Sequence, residues 1–249
     1  MVWHTLTPFN LSGLLLFGGA TGPNSPGILP DNSDSSTLLV TSGSGDPSWN
    51  YETQSWANEP MRRIHHTSVL SRNKVWIVGG EKADGSGSAF SESYVFDPLV
   101  PSFTQLSSKN GPPDLTGHAS IVLPNGHLLV FGGYSPSTAS LIPFTTIWSL
   151  DTTDSNALWT TLTISSASLP SPRRAFATAL LDNGKVLIHG GADAELQNTY
   201  VDGWILDTTQ NPMTWTNVSQ LAQLGPRRDH FAVGLGSIVI FGFGECLSN

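Results

Sequence analysis

Of the 249 residues only Cys246 is a cysteine, so no disulfide forms within the chain and a disulfide-built fold is excluded. Charge is also scarce. Charged residues make up 12 % of the chain, about half the usual share of roughly 25 %. Eleven basic residues stand against nineteen acidic ones, a net charge of −8, which argues against nucleic acid or an anionic membrane surface as a general partner. No apolar run approaches the ~20 residues of a membrane helix, so direct membrane insertion is not expected. The run LSGLLLFGGA (11–20) has the look of a signal-peptide core, but no basic segment precedes it and it reads better as a strand. Turn formers, by contrast, are plentiful, with 25 Gly and 17 Pro. Many short strands joined by tight turns follow from such a mixture.

Aligning the chain on paired glycines reveals a repeat. GLLLFGG (13–19), KVWIVGG (74–80), HLLVFGG (127–133) and KVLIHGG (185–191) match, with a degraded copy, SIVIFGFG, at 237–244. Taking Gly18, Gly79, Gly132, Gly190 and Gly242 as the first glycines, the spacings are 61, 53, 58 and 52 residues, a period that decides the fold before any local reading. An apolar stretch precedes each glycine-ending strand, and Asn-Gly at 125–126 and 183–184 separates the two in a pattern typical of hairpins. After a variable loop come YVFDP (94–98), IWSLDTT (147–153) or GWILDTT (203–209), then an aromatic strand marked by Phe103, Trp159 or Trp215. The first repeat offers TLLVTS (37–42) followed by Trp49 or Trp56. Each unit is thus four strands, A to D in chain order. The nearly continuous apolar character of A and B predicts cover on both faces, as in a four-stranded sheet packed between like sheets.

RRIHHTSVLSRNKVWIVGG with YVFDP, and RRAFATALLDNGKVLIHGG with GWILDTT and TW, resemble kelch repeats across nearly the whole chain. The resemblance is broadest to the kelch and galactose oxidase central-domain type, fungal kelch proteins of unknown function among them. It implies an all-β propeller in which strand A lines a central channel and strand D lies outermost. Blades are expected at about 1–59, 60–112, 113–170 and 171–224, with a half-blade at 225–249. Four and a half blades do not close a ring, so the sequence reads as part of a larger propeller whose parent is extracellular or membrane-anchored, as the resemblance suggests. A ring closed by pairing of the first and last sheets is the other arrangement.

The glycine pairs Gly18–Gly19, Gly79–Gly80, Gly132–Gly133 and Gly190–Gly191 read as structural turns beside a neighbouring blade. No helix start follows them to supply a phosphate site. Asp97, Asp151 and Asp207 read as turn caps between strands C and D, and Trp159 and Trp215 as blade-to-blade packing with one exposed Trp left for sugar stacking. His4, His65, His118 and His230 recur at one equivalent place, which a structural role predicts, whereas a metal site needs different residues converging. His189 replaces the Phe or Val of its sibling strands and requires a hydrogen-bond partner.

Arg62–Arg63, Arg173–Arg174 and Arg227–Arg228 hold six of the eleven basic residues, all just before strand A. The third repeat has Leu115 and Thr116 instead. Arg62, Arg173 and Arg227 match the first Arg of the kelch R-x-x-H start. Because adjacent strand residues face opposite ways, one Arg of each pair is expected to tie blades and its neighbour to reach the channel mouth. There it would suit carboxylates.

These readings favour a non-catalytic scaffold that binds a protein or acidic peptide, with no cofactor and no metal. Two alternatives stand beside it. A copper radical oxidase resembling galactose oxidase needs clustered Tyr and His ligands with a thioether Cys, yet Tyr51, Tyr94, Tyr134 and Tyr200 are scattered and Cys246 lies near the end. A glycan-binding module is the other. GSGSAFS (85–91) lacks the strand–turn–helix setting of a nucleophilic serine. Sequons at Asn10-Leu-Ser12 and Asn217-Val-Ser219 permit glycosylation if the chain is secreted.

Overall fold

The computed structural model describes residues 2–10, 13–20, 36–40, 48–50, 56–82, 86–236 and 238–246. Tyr51 and the end of the Asn10-Leu-Ser12 sequon lie outside them. The chain divides into two compact units, Met1–Thr116 and Gly117–Asn249.

The first unit holds two antiparallel sheets, each with its strands in chain order. One is β1 (Val2–Asn10), β2 (Gly13–Ala20), β3 (Ser36–Val40) and β4 (Ser48–Asn50), so Trp49 and not Trp56 falls on the fourth strand. The other is β5 (Thr67–Ser71), β6 (Lys74–Val78), β7 (Ser93–Asp97) and β8 (Ser102–Gln105). Phe9, Leu15 and Phe17 of the first sheet meet Val75, Ile77, Phe96 and Phe103 of the second in one apolar core.

In the second unit, β9 (Ala119–Val122), β10 (His127–Phe131), β13 (Ile147–Asp151) and β14 (Thr160–Leu162) form one sheet. Its B–C loop carries a small hairpin, β11 (Tyr134–Ser135) and β12 (Ser140–Leu141). β15 (Ala177–Leu180), β16 (Val186–His189), β17 (Gly203–Asp207) and β18 (Thr214–Asn217) form the next. β19 (Phe231–Leu235) and β20 (Ile238–Gly242) pair with each other. A 3-10 helix, Ser219–Leu224, is the single helical segment among the described residues, and it had no signal in the repeat.

The all-β reading with four-stranded antiparallel blades is what the structure contains. Three of the B strands are buried as their unbroken apolar runs demand: every residue of β16, and all but the first of β6 and β10, is buried, whereas no residue of β20 is. Strand β5 departs from the two-sided expectation, since Ser71 alone in it is buried. The hairpins form at both Asn-Gly pairs, but only Gly126 and Gly184 turn left-handed, and Asn125 and Asn183 do not. The two-residue turn with both central residues at positive φ lies elsewhere, at Arg72 and Asn73 between β5 and β6.

Candidate functional site

The glycine ends of the B strands and the arginine starts of the A strands meet in a repeated seam. In each case the N–H of the second glycine donates to a carbonyl at the start of the next repeat: Gly19 to Arg63 (2.8 Å), Gly80 to Leu115 (2.7 Å), Gly133 to Arg173 (2.9 Å) and Gly191 to Arg227 (2.8 Å). The backbone must pass very close. A Cβ on Gly190, whose φ is +66°, would sit 2.2 Å from the Arg227 carbonyl oxygen. No side chain fits there.

These bonds correct the alignment of the arginines. Arg63, not Arg62, is equivalent to Arg173 and Arg227, with Leu115 in the third repeat. The side chains agree: Nη1 of Arg63, Arg173 and Arg227 donates to the carbonyls of Gly79 (2.9 Å), Gly190 (3.0 Å) and Phe243 (3.4 Å). The last contact also places Phe243, at φ 57°, in the first-glycine position, so Gly242 stands one residue earlier than the sequence alignment put it. The repeated histidine is corrected likewise. Gly80, Gly133 and Gly244 each lie against the Cβ of His66, His118 and His230, and Gly191 against that of Phe176. His66 therefore holds the place assigned to His65, which sits at positive φ and contacts Glu81 at 2.7 Å.

Arg63 and Arg173 are 1 % and 0 % exposed, so the expectation that Arg63 reaches a mouth does not hold for its side chain. Its guanidinium lies 4.1 Å from the centroid of Phe90, and burial pushes its pKa down to about 10, still charged near neutrality. Arg173 grips both oxygens of Asp202 at 2.6 and 3.0 Å and stacks 4.2 Å from Tyr200. Packing and forked hydrogen bonds explain why arginine and not lysine sits there. Arg62 donates through Nε to the Gly19 carbonyl at 2.6 Å.

Arg174 and Arg228 are half-buried. Arg174 lies 5.0 Å over Tyr134, and Arg228 pairs with the exposed Glu245 at 2.6 Å. Tyr94, Tyr134 and Tyr200 each face an arginine. Among the described residues no three His, Cys, Asp or Glu side chains converge on a metal-sized site.

The remaining repeated residues act locally. Asp97, Asp151 and Asp207 accept from the backbone N–H two residues on, at Leu99, Thr153 and Thr209. Lys185 holds Asp207 at 2.7 Å, and this bond with that of Thr209 draws the carboxyl down to about 2. Trp159 is buried, and Trp215 packs edge-on to Phe144 and donates to its carbonyl at 3.2 Å. Trp3 is exposed.

His189 is fully buried, with Nδ1 3.1 Å from Nε2 of His230. Desolvation lowers both pKa values. For His230 the neighbouring His189 and Arg227 add to it and the value falls to about 4.

The sequence reading missed a groove at the other end of β10, where Ser149 and His127 approach each other. Both depart from the residue types of the sibling repeats, which was the available signal.

A family model for the KLHDC2/KLHL20/DRC7 kelch-repeats domain matches residues 3–244. Relatives include a putative adagio-like protein 2 of Oryza sativa subsp. japonica, 28 % identical over 96 % of this chain and 37 % of its own length. The flagellar outer arm dynein alpha chain of Chlamydomonas reinhardtii is 30 % identical over 69 % of this chain and 4 % of its own. The chain thus spans little more than a third of the adagio-like relative. A solved structure, "Structure of YjhT", superimposes with a TM-score of 0.71 at 18 % identity, covering 97 % of this chain and 72 % of that one. With the repeat, the blades and the family model in agreement, the chain belongs to the kelch-repeat family.

Proposed function

We propose that this chain is a non-catalytic interaction module that binds an acidic segment of a partner protein. Kelch-repeat domains commonly mediate protein–protein interaction, and this one belongs to that family. The observation that carries the finer reading is the division of labour among the arginines. Arg63 and Arg173 spend their guanidiniums inside the fold, while Arg174 and Arg228 lie one residue further on, half-buried at the A-strand starts of the second unit. A guanidinium backed by an aromatic ring, as Arg174 is by Tyr134, is held ready for a bidentate carboxylate contact. Arg228 already holds one carboxylate, Glu245, which a partner's acidic side chain would displace.

The test is fluorescence anisotropy with labelled Asp/Glu-rich decapeptides against the wild type and the Arg174→Ala/Arg228→Ala double variant. Binding weakened about tenfold or more, as loss of charge-assisted hydrogen bonds predicts, with thermal stability within a few degrees of wild type, supports the assignment. Equal affinity in the two proteins overturns it.

A further inference from the structure

The repeats serve as controls for one another, and the third departs from its siblings at two adjoining places. In the second and fourth, strand B opens on Lys74 or Lys185, each ion-paired with the aspartate that ends strand C, at 2.9 Å to Asp97 and 2.7 Å to Asp207. The third has His127 at that register, opposite Asp151. Its Nδ1 meets the Ser149 hydroxyl at 3.1 Å instead. Ser149 in turn occupies the strand-C place of Val95 and Ile205. A hydroxymethyl there removes apolar volume and leaves a polar wall. It is almost fully buried.

Beside these two residues a groove of about 290 Å³ opens within the second unit, between β10, β13 and β14 and the turn that follows β17. Leu162 and Met213 supply apolar surface; His127, Thr163 and Asn211 supply polar groups. No Asp, Glu, Lys or Arg lines it. The nearby Lys185–Asp207 pair satisfies itself, and the Thr209 hydroxyl is spent on Asp207 at 2.6 Å. What faces a ligand includes His127 Nε2, the Thr163 hydroxyl and the Asn211 amide, with no carboxylate, ammonium or guanidinium among the lining groups.

We propose that this groove binds one ring of a neutral, hydroxyl-rich ligand, an uncharged sugar unit. A charged ligand would leave water for a site with no counter-charge. A purely apolar one would strand the three polar groups without partners. A sugar ring offers C–H faces to Leu162 and Met213 and hydroxyls to the rest, and the volume lies at the small end of ligand sites, roughly 300–1,000 Å³. The site is independent of the acidic-segment reading, because His127 begins strand β10 whereas the arginine seam lies at the glycine ends of the B strands.

Saturation-transfer NMR with glucose and N-acetylglucosamine at millimolar concentration, beside glucuronate and glucosamine, tests it on the whole chain. The neutral probes should receive saturation and the charged ones should not. Ser149→Val, which installs a sibling's side chain, and Asn211→Ala, at an exposed position, should each cut the signal about tenfold while leaving the melting temperature within a few degrees. Absence of transfer to either neutral sugar, equal transfer to charged and neutral probes, or equal signal in both variants overturns the proposal.

Discussion

Gly190 shows how a single position carries the repeat. Its positive φ and the 2.2 Å approach of the Arg227 carbonyl to its would-be Cβ leave no room for any other residue. Gly190→Ala should therefore destabilise the chain by about 2–4 kcal/mol, combining backbone strain with forced separation of the seam; urea unfolding measures it. His230 makes a second residue-scale case. Its folded pKa of about 4 lies below the ordinary value of 6.5, so between those pH values the unfolded chain binds a proton that the folded one refuses. Stability must then fall as pH drops through that window, by about 1.4 kcal/mol per pH unit for this group, and level off below pH 4. Phe176 holds the same place in the preceding repeat and meets Phe131 at 6.0 Å, so His230→Phe should reduce the slope between pH 6.5 and 4 to what the likewise lowered His189 contributes. Asp207, drawn down to about 2, acts in a separate window: its contribution is present above pH 4 and is lost as pH falls towards 2.

At the scale of elements, the arginine register teaches most. Arg62–Arg63 and Arg173–Arg174 look alike as doublets, and His65–His66 offers two candidates for one place. Two adjacent ambiguities shifted by one residue cancel in an alignment. Only the carbonyl of Arg63 accepting from Gly19, and its Nη1 donating to Gly79, settle the register. The cause is the short turn at Arg72–Asn73, which lacks the extra residue of the Asn-Gly hairpins. Arg173 welds the start of its strand to Asp202 and the end of β16. Arg173→Lys keeps the charge but loses the fork and the stacking over Tyr200, and should cost about 2–3 kcal/mol by thermal or denaturant melting, whereas Arg174→Lys should cost under about 1 kcal/mol.

For the molecule as a whole, charge and exposed apolar surface decide behaviour in solution. Phe231, Val233 and Leu235 of β19 lie opposite Gly242, Ile240 and Ile238 of β20, and the five apolar members share one exposed face. Such a surface associates readily. Ile238→Thr with Ile240→Lys should raise the concentration at which the chain stays monomeric by light scattering, with no loss of stability because both side chains already face water.

The sequence alone determined the period, the four-strand unit, the turn-capping aspartates and the apolar B strands. Each follows from spacing, alternation or local backbone preference, which neighbours along the chain suffice to express. It did not determine which arginine is buried, which histidine is equivalent to which, or that Ser149 and His127 border a groove. Those depend on contacts between segments tens of residues apart, where a one-residue shift in a turn decides what a side chain meets.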